Sequence, residues 1–297
     1  MRVFVTGATG FVGAAVVADL IGAGHQVLGL TRSDAGAKAL AAAGAEAHRG
    51  SLQDLDSLKH GAERSDGVIH LAFNHDFSTY MANCEDDRRV IAALSSVLAG
   101  SDRPLLVTSG TGMSSHGPDQ PATEDDRPAS SAMVPRAASE EAVDAAVSDG
   151  VNACVVRLPQ VHDPERQGLI SLAVDMAREK RVSAYIGDGA NRWAAAHRLD
   201  VAQLYRLVLE KGERGARYHA VAEEGVPMRA IAETIGRRLG VPVRSLTPEE
   251  APEFLGFLAM FAGRDGSASS ALTRRRLGWS PTGPGLIADL EQLRVDS

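Results

Sequence analysis

Short apolar runs alternate with stretches of helical period along the first half of the chain. Residues 1–6 (MRVFVT), 25–30 (HQVLGL), 45–48 (AEAH), 66–71 (DGVIHL), 104–108 (PLLVT) and 153–158 (ACVVRL) read as strands. The more continuous of these runs suit strands buried on both faces. Between them, residues 11–21, 35–43, 77–98 and 136–149 carry apolar or alanine-rich positions at helical spacing. Alternation at this pitch predicts an α/β fold built on a doubly wound parallel sheet of the Rossmann type. After Pro159 the alternation loosens: helices are expected at 169–180, 200–211, 228–239 and 248–261, with a short strand at 182–186. The expected division is a main domain over 1–158 and a smaller lobe over 159–297, discontinuous because some later segments return to the sheet.

The first thirteen residues, MRVFVTGATGFVG, carry the most chemistry. A strand that turns through Gly7, Gly10 and Gly13 into a helix presents bare backbone N–H groups and a helix N-terminus to a pyrophosphate. Gly7 permits the turn, Gly10 removes a side chain that would block the phosphates, and Gly13 lets the helix lie close on the strand. Thr9, Phe11 and Val12 share this turn and complete the expected diphosphate contacts. The end of the next strand meets the adenosine ribose, where an acid favours a free 2′-hydroxyl and an arginine a 2′-phosphate. Thr31 holds the acid position and Arg32 and Ser33 follow it, which points to NADP (NADPH) rather than NAD. The competing reading leaves Arg32 as a solvated charge and gives the ribose to Asp34. Ser51 and Leu52 are placed at the adenine edge, and Leu71, Ala72 and Phe73 along the cofactor's middle.

Composition narrows the partners. A formal net charge of −7 and no dense basic stripe argue against nucleic acid. No apolar run approaches the ~20 residues that span a bilayer, so no membrane association is expected. The chain begins as a strand with one arginine, so no secretory leader is expected. Two cysteines far apart, Cys84 and Cys154, suggest neither a disulfide framework nor a zinc site. The acids at 119 and 124–126 show no metal-ligand spacing, so no metal is expected. A cytoplasmic protein acting on a small molecule is the resulting expectation.

Taken together, TGATGFVG (6–13), GVIHLA (67–72), VTSGTG (107–112), TEDDRP (123–128), VRLPQVHDP (156–164) and GDG with HRLDVA (187–189, 197–202) are identified with one family. They resemble the short-chain dehydrogenase/reductase superfamily in its extended, epimerase-like form. That resemblance implies nicotinamide contacts at Ser109 and Pro159 and a substrate loop after the arginine–proline segment. It also implies pairing of two copies through the helices at 77–98 and 136–149. A small-residue face of Ala137, Ala138, Val143, Ala146 and Val147 suits a homodimer, or packing within one chain. The family's proton donor is a tyrosine with a lysine four residues later. Here the residues four places after the four tyrosines are Cys84, Gly189, Leu209 and Ala222, so the pair is missing.

General acid help contributes typically ~10²–10⁴-fold, so a carbonyl reductase needs a substitute donor. Ser109 and Thr111, and the loop residue His116, are the catalytic candidates; His75 follows the fourth strand, and Tyr80 lies one turn beyond it. His75, His162, Arg192, Trp193 and His197 are the expected substrate contacts. Met228 and the phenylalanines at 254, 257 and 261 form either a pocket wall or plain core. The leading expectation is an NADPH-dependent oxidoreductase of a small carbonyl, enone or imine. The alternatives are a non-catalytic NADP(H) sensor, or an epimerase or lyase on the same fold.

Overall fold

The computed structural model describes residues 1–113 and 120–293. Its first half alternates strictly: β1 (Arg2–Thr6), α1 (Phe11–Gly22), β2 (Gln26–Thr31), α2 (Asp34–Ala42), β3 (Glu46–Arg49), α3 (Leu55–Glu63), β4 (Gly67–His70), α4 (Tyr80–Leu98), β5 (Leu105–Gly110), α5 (Ala138–Ser148) and β6 (Ala153–Leu158). The second half runs β7 (Gln160–His162), α6 (Ile170–Lys180), β8 (Ser183–Ile186), β9 (Arg192–His197), α7 (Arg198–Lys211), β10 (Arg217–His219), β11 (Glu223–Pro227), α8 (Met228–Leu239), β12 (Val243–Leu246), α9 (Ala251–Leu255), α10 (Ala259–Ala262), α11 (Ala271–Leu277) and α12 (Leu286–Leu290).

The main sheet has seven strands in the order β10-β6-β5-β4-β1-β2-β3, every pair parallel. Parallel strands need crossovers that cover both faces, which is why β1, β4 and β5 carry unbroken apolar runs such as Val3–Val5 and Leu105–Val107. One face packs Val3, Val5, Val16, Leu20 and Ile69 with α7 residues Leu204 and Tyr205; the other packs Phe4, Leu58, Ile91, Leu94 and Val143. Strand order reverses between β1 and β4, so the crevice for a ligand opens at their C-terminal ends.

The later segments divide. α7 lies against α1, and β10 extends the main sheet beside β6. α11 also returns to the main core through Leu277, and the other segments form a lobe around the sheet β11-β9-β7 and the pair β12-β8, with a core of Ile170, Trp193, Met228, Ile231 and Leu286. The helix expected over 248–261 is instead broken, because Gly256 adopts φ +52° between α9 and the short turn that leads to α10. Of the small-residue face considered for a dimer, Val143 and Ala146 of α5 join Val90 and Leu94 of α4 in the core, Ala137 and Ala138 are fully buried, and Val147 is half-buried.

Candidate active site

Backbone geometry builds the first part of the site. Gly7 sits at φ +67°, and a β-carbon there would come within 2.9 Å of the Ala72 nitrogen. A β-carbon on Gly13 would lie 2.0 Å from the Gly7 carbonyl oxygen, so only glycine lets α1 start this close to β1. Gly10 is the N-cap of α1 and offers no side-chain acceptor, which leaves the first-turn N–H groups of Phe11, Val12 and Gly13 without a cap. Thr9 and Gly10 are exposed and Phe11 and Val12 half-buried at this turn. Arg198, at the start of α7, places its guanidinium 5.3 Å from the Phe11 ring centre and pairs with Asp163 at 2.9 Å. A cradle of bare amides at a helix N-terminus with a cation beside it fits a diphosphate.

Arg32 and Ser33 follow β2 at the same edge, and both are exposed. The Ser33 hydroxyl accepts from the Gly36 N–H at 3.0 Å and so caps α2. Strand register adds a residue that the sequence reading missed. Arg49 pairs with Thr31 across β2 and β3, so a second guanidinium stands beside the end of β2. Asp34 is exposed and bonded to Arg49 at 3.1 Å. Ser51 and Leu52 are half-buried just past β3, and Leu52 joins Gln53, Phe73, Asn74, Asn83 and Val90 around a shallow pocket.

A buried polar chain backs the crevice. Thr6 Oγ1 accepts from the Leu71 and Ala72 N–H groups, each at 3.2 Å, and lies 2.7 Å from His70 Nδ1. His70 Nε2 lies 2.9 Å from one Asp87 carboxylate oxygen, and Arg136 donates to the other at 2.8 Å. Ser139 also donates to Asp87. Burial raises the Asp87 carboxyl, but Arg136, His70 and Ser139 together outweigh it and hold the group below its ordinary range. Arg136 further donates to the Thr108 carbonyl at 3.0 Å, while Thr108 Oγ1 is 2.7 Å from the Tyr205 hydroxyl. Its guanidinium carbon lies 4.1 Å from the centre of the Phe73 ring.

Ser109 is buried beside Glu140, and Thr111 is buried at the head of a turn. His116 lies outside the described residues. Glu140, four residues after Arg136, is sealed from water between Arg157, at 2.8 and 2.9 Å, and Arg217, at 2.8 Å. Burial raises its carboxyl and those cations, with Ser109, bring it below the usual range. The same Arg157 donates to the Asp126 carbonyl at 2.9 Å, and Glu124 accepts from the Thr273 N–H at 2.6 Å, so the TEDDRP segment is tied down as framework.

Of the expected substrate contacts, His75 lies beyond the end of β4, between Phe73 and Phe77. Its ring meets Phe73 edge-on at 5.3 Å, and burial followed by the Arg136 charge lowers its pKa. His162 is a correction: it is 0% exposed, its Nδ1 is 2.6 Å from Asp289, and burial outweighs that partner and lowers its pKa. Trp193 is likewise packed inside the lobe, donating to the Arg264 carbonyl at 3.3 Å. Arg192 pairs with Asp265 at 3.1 Å, and His197 caps α7. Leu71, Ala72 and Pro159 stand half-buried along the crevice. Among the described residues no group of three or more His, Cys, Asp or Glu could hold a metal, and no helix is long and apolar enough to cross a membrane.

A reversed parallel sheet, a bare helix N-terminus at its crevice and a glycine cradle define a dinucleotide-binding α/β enzyme. The chain belongs to the NAD-dependent epimerase/dehydratase family, whose model matches residues 3–222. It is therefore an NAD(P)-dependent, oxidoreductase-type enzyme of the extended short-chain dehydrogenase/reductase class. An uncharacterized protein of Schizosaccharomyces pombe is 47% identical over 98% of both chains. A 2′-dehydrokanamycin reductase of Streptomyces kanamyceticus is 32% identical over 82% of this chain and 68% of its own. The fold is that of Thermus thermophilus UDP-glucose 4-epimerase, solved with NAD, with a TM-score of 0.76, 20% identity and coverage of 98% and 97%.

Proposed function

We propose that the protein is a cytoplasmic NADPH-dependent reductase of a small organic carbonyl, enone or imine. The observation that carries this is the uncapped N-terminus of α1 at the Gly7–Gly10–Gly13 cradle, with guanidinium groups at the end of β2. The first-turn N–H groups and Arg198 hold the diphosphate, and Ser51 and Leu52 edge the adenine. Arg32, with Ser33 and Arg49, receives the 2′-phosphate; Arg49 must then exchange its exposed Asp34 partner. When bound, the cofactor supplies hydride. Leu71, Ala72, Phe73, Ser109 and Pro159 position its nicotinamide half, and the lobe around β7, β8, β9, β11 and β12 closes the substrate side.

The relative that reduces 2′-dehydrokanamycin supports reduction. The missing tyrosine–lysine pair favours a sensor as the second reading. Substrate-dependent loss of NADPH absorbance across aldehydes, ketones, enones and imines decides between them. Turnover with one class is the expected result. Tight NADPH binding without turnover on any class would favour the sensor.

A further inference from the structure

Resting on the reductase reading, the open question is which group delivers the proton. We propose that Tyr80 is the donor and that the Arg136 guanidinium is the cation favouring the phenolate left behind. A phenol–cation pair is thus assembled across two elements instead of along one helical turn.

Tyr80 opens α4 at the sheet edge that carries the glycine cradle. Phe73 links it to Arg136: the guanidinium carbon is 4.1 Å from the Phe73 ring centre, and the Phe73 and Tyr80 rings meet edge-on at 6.4 Å. A guanidinium has five N–H donors. Arg136 bonds Asp87 and Ser139 through Nη1 and the Thr108 carbonyl through Nη2, so Nε–H and one Nη2–H make no hydrogen bond among the described residues. The buried Asp87–His70–Thr6 chain fixes the guanidinium from behind.

The other phenols are elsewhere. Tyr205 is buried against Thr108, Tyr218 accepts from the Glu213 N–H, and Tyr185 lies on β8 under Arg229. The groups bearing on the Tyr80 hydroxyl are Cys84 on its own helix and Arg136; Phe257 of the lobe brings no charge. Burial and the neighbouring Cys84 raise the Tyr80 phenol and Arg136 pulls it back, with a net rise, so the phenol keeps its proton at neutral pH. Burial, then the same cation, disfavours an imidazolium at His75.

The step balances. Hydride from the reduced cofactor adds to the carbonyl carbon and the π pair moves to oxygen. Tyr80 O–H gives that oxygen its proton, and the phenolate recovers one from water. The carbonyl is reduced to an alcohol and the cofactor is oxidised by two electrons.

Two measurements test the pair, the first without cofactor. In protein labelled at the tyrosine ring carbon bearing oxygen, NMR follows the titration of the resonance that Tyr80→Phe removes. Arg136→Gln should raise its midpoint by about one pH unit, and Arg136→Lys should restore most of that. Tyr80→Phe should bind NADPH like the wild type yet lose roughly 10²–10⁴-fold in kcat, with KM little changed. An unchanged midpoint in Arg136→Gln, or a Tyr80→Phe kcat within about threefold of wild type, overturns the proposal. If loss of the Asp87 partner unfolds Arg136→Gln, the Tyr80→Phe comparison decides. If the wild type reduces no carbonyl, the reductase reading falls, and the titration still decides whether Tyr80 and Arg136 form a pair.

Discussion

At Gly13 a single methyl group meets the Gly7 carbonyl oxygen at 2.0 Å, whereas at Gly22, on the same helix, nothing lies within 4 Å. Gly13→Ala should therefore cost about 1–3 kcal/mol by overpacking and push the helix N-terminus off the cradle. Urea unfolding and cofactor fluorescence should show lower stability and weaker NADPH binding, with Gly22→Ala close to wild type in both. The three glycines were readable in the sequence because the constraint is local: strand, turn and helix are contiguous. Arg49 was not readable, since its place beside Thr31 exists only once β2 and β3 are in register. His162 misled for the opposite reason: the sequence shows an ionisable ring before a loop, and only α12 brings Asp289 against it, 127 residues on.

Between elements, the chain Thr6–His70–Asp87–Arg136 ties β1, β4, α4 and the start of α5 together behind the crevice. Removing one partner of a buried ion pair leaves an uncompensated charge, at about 3–5 kcal/mol, whereas replacing both by apolar groups is often near neutral. Asp87→Ala should lose stability on that scale in urea, and Asp87→Leu with Arg136→Met should regain most of it. Equal loss in single and double variants would assign the cost to packing alone. The helices and strands themselves were legible from period and run length, because the parallel sheet demands buried strands. The ion pairs were not, because their members lie 17 and 49 residues apart. The segment 248–261 read as one helix from its apolar spacing, and the positive φ of Gly256 divides it.

For the whole molecule, acid should be destabilising before the carboxylates titrate. His219 is buried, with Nδ1 2.8 Å from the Ser269 carbonyl and Nε2 3.3 Å from Arg157, and desolvation takes its pKa down to about 4. Its folded pKa lies below the unfolded value, so the unfolded chain binds the proton first. The stability His219 confers above pH ~6.5 is lost as pH falls towards 4, with a slope of at most roughly 1.4 kcal/mol per unit. The melting temperature should decline across that window, and less steeply in His219→Gln; identical slopes would remove the assignment. Much of the molecule's use follows from the cofactor that it grips. The most direct measurement is calorimetric titration of wild type and Arg32→Ala with NADPH and NADH. The account predicts NADPH binding tighter than NADH, a loss of about 1.5–3 kcal/mol for NADPH in Arg32→Ala, and little change for NADH. Equal losses for both would contradict the 2′-phosphate site, and no binding of either would contradict the dinucleotide site itself.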